Sequence, residues 1–242
     1  MIRTIYYIIL IYFLLGGIGF YLINRHKNPE IARKSYTKFS VYFIIINILF
    51  FSIVINPIVF RYLSILIIGV GFFELFRLFR KSGFRNKRFY LFSFVVYAIL
   101  SYGFLFFGAL QKELILFSFI LISIFDSFSQ ITGQLFGRRK LFLKISPNKT
   151  LAGLIGGGFI AIGSSFLINS LYPASTAKSI LLTIGVVFFA FAGDLAASFY
   201  KRKFNVKNYS RLLPGHGGFL DRFDSLIASG AWVALNEYVL NL

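Results

Sequence analysis

The chain has 242 residues, of which 57% are hydrophobic, 20% aromatic and only 14% charged. A soluble domain typically devotes about 25% of its residues to charge, so this composition excludes a single water-soluble core. Lys and Arg number 26 against 8 acids, a formal charge of +18, and with no cysteine there is neither a disulfide framework nor a thiolate nucleophile or metal ligand.

Apolar runs of about 20 residues, the length a bilayer core asks of a helix, recur from end to end. They predict eight helices at roughly 4–23, 39–55, 58–78, 89–108, 113–133, 152–171, 179–199 and 224–241. The first run lacks a small-residue cleavage site and is expected to be a retained helix. Between the runs the basic residues sort by loop. The 1–2 connection holds Arg25, Lys27, Arg33, Lys34 and Lys38; the 3–4 connection holds Arg80, Lys81, Arg85, Lys87 and Arg88. The 5–6 connection holds Arg138, Arg139, Lys140, Lys144 and Lys149; the 7–8 connection holds Lys201, Arg202, Lys203, Lys207 and Arg211. The other connections are nearly uncharged. By the positive-inside rule the four basic loops are cytoplasmic and both termini lie outside. Anionic head groups and orientation account for the basic excess, and nucleic acid is not an expected partner.

The expected fold class is therefore all-α: a polytopic membrane protein of about eight transmembrane helices, with a cytoplasm-facing polar cavity in the C-terminal half. Residues 1–110, rich in Phe, Ile, Leu and Tyr, read as scaffold helices. Residues 111–242 read as the catalytic region with its cytoplasmic loops. In the scaffold, Glu74 stands three residues before Arg77, and a local pair is expected.

All four aspartates, Asp126, Asp194, Asp221 and Asp224, follow residue 125. Carboxylates in or near hydrocarbon are costly and usually face a cavity and a partner, and hard cations such as magnesium take oxygen ligands. Ser127 or Ser129 could instead satisfy Asp126, and Asp224 could cap the last helix or pair with Arg222. The richest stretch runs Ser198, Lys201-Arg202, Lys207-Asn208, then Pro214-Gly-His-Gly-Gly218 and Asp221-Arg222-Phe-Asp224. Gly215, Gly217 and Gly218 permit turns and close backbone approach. Lys201, Arg202, Lys207 and Arg222 suit phosphate oxygens. Asp221 and Asp224 share a face if a helix begins there. Upstream, Ser146-Pro-Asn-Lys149-Thr150 opens the sixth helix, whose N-terminus offers N–H groups to phosphate.

This pattern resembles the phosphatidate cytidylyltransferase (CDP-diacylglycerol synthase) family over about residues 120–230. The family's Ser-x-x-Lys-Arg, Lys-Asp and Pro-Gly-His-Gly-Gly-x-x-Asp-Arg-x-Asp elements correspond to Ser198–Arg202, Lys207-Asn208 and Pro214–Asp224. Its Ser-Pro-x-Lys-Thr element corresponds to Ser146–Thr150, its Gly-x-x-x-Gly-Arg element to Gly133–Arg138, and its Gly-Asp to Gly193-Asp194. Asn208 replaces the family's Asp, and Leu151-Ala152 replaces its aromatic-Glu pair.

The resemblance implies transfer of a cytidylyl group from CTP to phosphatidate, or to a related lipid phosphate. Asp194, Asp221, Lys201, Lys207 and Arg222 would be catalytic. Ser146, Lys149, Thr150, Arg202, Gly215, His216, Gly217 and Gly218 would contact substrate. Asp194, Asp221, Asp224 and Asp126 would hold Mg2+, one ion or two, with a monovalent cation as a further candidate. Membrane lipids and a second copy in a homodimer are the other implied partners. His216 is structural or phosphate-contacting rather than a base, since a phosphate monoester is already an anion. A paralogue acting on a polyprenyl phosphate and an inactive lipid-binding homologue stay open as alternatives. A bacterial inner membrane is the expected location.

Overall fold

The computed structural model describes residues 2–210, 212 and 217–240. Among these residues it contains eight α-helices: α1 (Ile2–Asn24), α2 (Pro29–Ile55), α3 (Pro57–Lys81), α4 (Lys87–Phe107), α5 (Lys112–Phe136), α6 (Leu151–Leu167), α7 (Thr176–Lys203) and α8 (Leu220–Leu235). Six of them, α1–α5 and α7, are long and apolar enough to cross a membrane. The other two, α6 and α8, have 17 and 16 residues, at or below the usual span of about 17–25. The protein is an all-α integral membrane protein, with six helices rather than eight meeting the length of a span.

Several boundaries move, for local reasons. α2 starts about ten residues before the predicted 39, because Asn28 caps Glu30 N–H through its side chain and Pro29 supplies a first-turn φ. Most of the basic 1–2 connection is thus helical. A short antiparallel ribbon, β1 (Lys140–Phe142) with β2 (Ser146–Thr150), interrupts the helical plan in the 5–6 connection. The chain leaves it directly into α6, where the Thr150 hydroxyl caps Gly153 N–H at 3.1 Å.

Burial separates the central helix from the lipid-facing ones. Two thirds of the apolar window of α5 (67%) is buried, against 11% for α4 and 28% for α1, α2 and α7. Ile55, Phe92, Phe136 and Phe159 are exposed, and apolar side chains lose nothing by leaving the core where lipid is the solvent. Lipid also removes the hydrophobic drive between helices, so packing must come from close approach. Glycines supply it between α5 and α6. A Cβ on Gly157 would sit 2.8 Å from Ser129 N, and one on Gly153 would sit 2.6 Å from Ser129 O. Between α7 and α8, a Cβ on Gly193 would meet Asp224 O at 2.7 Å, and one on Gly185 would meet the Trp232 ring. Gly153, Gly157, Gly185 and Gly193 thus serve helix contact.

Candidate active site

Helices α1, α2, α5, α6, α7 and α8 and the ribbon line a cavity of about 770 Å³. Its polar wall brings together Asp126 from α5, Ser146, Lys149 and Thr150 from the ribbon, Asp194 and Lys201 from α7, Lys207 from the following loop, and Asp221, Arg222 and Asp224 from α8. Ten of the residues singled out in the sequence, scattered over nearly one hundred positions, thus face one space.

Charge pairing organises one side of it. Lys149 Nζ lies 2.8 Å from Asp194 Oδ2 and above the Phe191 ring, 4.3 Å from its centroid. Phe191 and Asp194 are one turn apart on α7, so the aromatic face and the carboxylate orient one ammonium together. Lys201, itself buried, reaches Asp221 at 2.5 Å. Asp221 Oδ2 also accepts Tyr209 N–H at 3.0 Å and Gly218 N–H at 2.7 Å. This carboxylate therefore ties α7, the loop and the first turn of α8 into one unit. Burial, followed by the Asp224 and Asp221 carboxylates, holds the Tyr209 phenol well above its ordinary pKa, so it stays a neutral donor to Ala197 O.

Asp126 and Asp224 are less committed. Asp126 Oδ2 accepts the Ser225 hydroxyl from α8 at 2.7 Å rather than a hydroxyl of Ser127 or Ser129. Asp224 Oδ1 accepts only the adjacent Ser225 N–H, at 2.8 Å, and forms no ion pair with Arg222 among the described residues. Among those residues no three His, Cys, Asp or Glu side chains converge closely enough to form a metal cage. Asp126, Asp194 and Asp224 nonetheless line the same space with hard oxygen donors. That donor set fits a magnesium ion bound through one or two carboxylates and completed by substrate phosphates.

The structure also places residues where the sequence did not. Arg202 is not on the cavity wall; its guanidinium donates to Ile145 O and Val206 O, both at 3.1 Å, clamping the ribbon to the end of α7. Gly217 and Gly218 do not line the space either. Gly217 has a φ of +91°, and its missing side chain makes room for Asn208, whose Cγ would be 2.7 Å from a Cβ. At Gly218 a Cβ would lie 2.9 Å from both Asp221 Oδ2 and Glu74 Oε1. Gly215 and His216 lie outside the described residues.

Glu74 is the residue the sequence reading misassigned. Arg77 is exposed and forms no pair with it, while Glu74 is fully buried. Glu74 Oε1 accepts the Ser210 hydroxyl at 2.6 Å and Phe219 N–H at 3.0 Å, and Oε2 accepts Leu220 N–H at 2.7 Å. A carboxylate from α3 thus caps α8, where free N–H groups and the positive dipole end favour an anion. The available signal was the isolation of one acid in an apolar helix. Lys38, Gln130, Gln134, Lys140, Asn148 and Asn208 also line the cavity and were not chosen.

A family model described as the cytidylyltransferase family matches residues 88–239. The chain is 38% identical over 137 residues to a phosphatidate cytidylyltransferase of Staphylococcus aureus, covering 54% of this chain and 52% of that protein. It is 38% identical over 135 residues to the protein of that name in Staphylococcus epidermidis, with the same coverage. It is 39% identical over 137 residues to the one in Staphylococcus haemolyticus. The chain spans about half the length of the curated relatives it matches.

Proposed function

The chain belongs to the cytidylyltransferase family, and from that premise we propose that it transfers a cytidylyl group from CTP to phosphatidate, giving CDP-diacylglycerol and pyrophosphate. One observation carries the reading: a single cavity holds Asp126, Asp194 and Asp224 together with Lys149, Lys201, Lys207 and Arg222. Such mixed charge suits two phosphate-bearing reactants that repel each other and must be brought within bonding distance.

In the reaction an oxygen of the lipid phosphate attacks the α-phosphorus of CTP. A new P–O bond forms, and the bond to the β-phosphate breaks with its electron pair leaving on pyrophosphate. The attacking oxygen is already anionic, so no general base is required. The work of the protein is to position the two phosphates and neutralise charge. Lys149 and Lys201, oriented by Asp194 and Asp221, face the triphosphate. Lys207 and Arg222 stabilise charge on the transferred and acceptor phosphates. Asp194 and Asp224, with Asp126 beside them, would hold a magnesium ion, which supplies further neutralisation of phosphate charge. Asp221 serves chiefly by fixing Lys201 and the start of α8. The active site faces the cytoplasm, where CTP is found, with both termini outside in a bacterial inner membrane. Membrane lipids surround the helices, and a homodimer is the assembly to test.

The test is formation of a radiolabelled cytidine liponucleotide from [α-³²P]CTP, phosphatidate and magnesium by the purified protein. We expect product, and an Asp194→Asn variant that folds normally but loses about a hundredfold or more of the rate, as when a site loses a key electrostatic group. An unchanged rate in that variant would sink the assignment of Asp194. Asn208, which lines the cavity, keeps a second reading alive, a polyprenyl phosphate as acceptor. Product with that lipid and none with phosphatidate would select it.

A further inference from the structure

Lys38 lies outside the residues matched by the family model and in the part of the chain read as scaffold. It stands on α2 at the wall of the cavity. Lys207 and Arg222 line the same cavity. Among the described residues neither Lys38 nor Lys207 takes part in an ion pair, and the buried Nε of Arg222 has no hydrogen-bond partner. This differs from the other side of the cavity, where Lys149 and Lys201 each meet a carboxylate. Lys38 and Lys207, each without an ion-pair partner among the described residues, repel one another, and an anion placed between them relieves that repulsion.

What lies beside this trio identifies the anion. Phe39 of α2 and Phe20, Gly16, Phe13 and Ile9 of α1 line the same cavity. Those four α1 positions recur at spacings of four, three and four, which keeps them on one face of the helix. At 1.5 Å per residue the stripe is about 16 Å long, close to the roughly 15 Å hydrocarbon depth of one leaflet of a 30 Å core. Gly16 leaves room there: a Cβ would meet only the Phe39 ring, at an ordinary contact distance of 3.5 Å. A soluble polyphosphate has no use for an apolar stripe of leaflet depth, whereas a lipid phosphate uses both halves.

We infer that the α1–α2 hairpin supplies the acceptor subsite, with Lys38, Lys207 and Arg222 holding the phosphate of a membrane lipid and the groove along Phe20, Gly16, Phe13 and Ile9 holding one acyl chain. This rests on the proposed reaction for the identity of the lipid, but not for the existence of the subsite. It makes Lys38 a substrate-binding residue and Gly16 a determinant of chain length.

The experiment measures binding of fluorescent phosphatidate to the purified protein in detergent, without CTP, and the kinetics of product formation in parallel. Lys38→Met should weaken lipid binding and raise KM for phosphatidate about tenfold, the loss of one charge-assisted contact. KM for CTP should stay unchanged, and Lys38→Arg should restore most of the binding. Gly16→Phe should lose long-chain phosphatidate while retaining a six-carbon analogue. A rise in KM for CTP instead would reassign Lys38 to the nucleotide and overturn the inference. So would unchanged lipid binding in Lys38→Met, or no lipid binding by the wild-type protein. Wild-type protein that binds phosphatidate in a Lys38-dependent way yet makes no liponucleotide would sustain the subsite and sink the proposed transfer. Competition by inorganic phosphate as effective as that by the lipid would show an anion site without a lipid site, and would overturn the acyl groove.

Discussion

Glu74 and Gly218 show how the site depends on residues that touch no substrate. The Glu74 carboxylate answers two backbone N–H groups at the start of α8 and the Ser210 hydroxyl of the preceding loop. Glu74→Ala leaves all three in a buried place, at a cost of about 2 kcal/mol or more. We expect a lowered unfolding midpoint in detergent and a loss of activity. Glu74→Gln, which keeps one acceptor oxygen, should recover part of both. A variant with an unchanged midpoint would mean that water replaces the carboxylate without cost. Gly218 is bound to the same arrangement, because the two carboxylates that converge there leave no room for a Cβ. The sequence placed glycines in this loop for close approach to a ligand. At Gly218 the close approach is to Asp221 and Glu74 instead.

Among the elements, the pairing of α5 with α6 rests on the absence of side chains. Gly157→Ala drives a Cβ to 2.8 Å from the Ser129 backbone, whereas Gly163→Ala on the same helix meets nothing within 4 Å. The first should destabilise by about 1–3 kcal/mol through overpacking. The second should be neutral or stabilising by up to about 1 kcal/mol from helix propensity. Unfolding measured in one detergent for both variants checks the contrast; equal effects would show that the helices are free to slide apart. The helices were legible because a membrane forces long apolar runs, and their caps adjusted the ends. The ribbon was not: β1 is three residues long, too short for an alternation of period two to register. α6 was overextended by four residues, since apolar composition marks burial in lipid and in protein alike, whereas the last helix begins four residues before the predicted 224 and its helical backbone runs on as a π-helix over Asn236–Leu240.

For the whole molecule, orientation is the open prediction that the charge pattern makes. The chain contains no cysteine, so single replacements report topology directly. Lys203→Cys, at the basic end of α7, should react with a membrane-impermeant maleimide only from the cytoplasmic side. Ala174→Cys, in the uncharged connection before α7, should react only from the other. The opposite pattern would invert the assignment and put the cavity out of reach of cytoplasmic CTP. Composition and spacing alone determined that the chain is a helical membrane protein, and the order of its motifs marked out the residues that meet on the cavity wall, because hydropathy and local chemistry are properties of the linear chain. Only the tertiary structure decided that Arg202 clamps a ribbon, that Glu74 of α3 caps α8 about 145 residues away, and that Lys38 joins the cationic wall. Those partners are chosen by helices folding back on one another in three dimensions, and no spacing along the chain records which faces will meet.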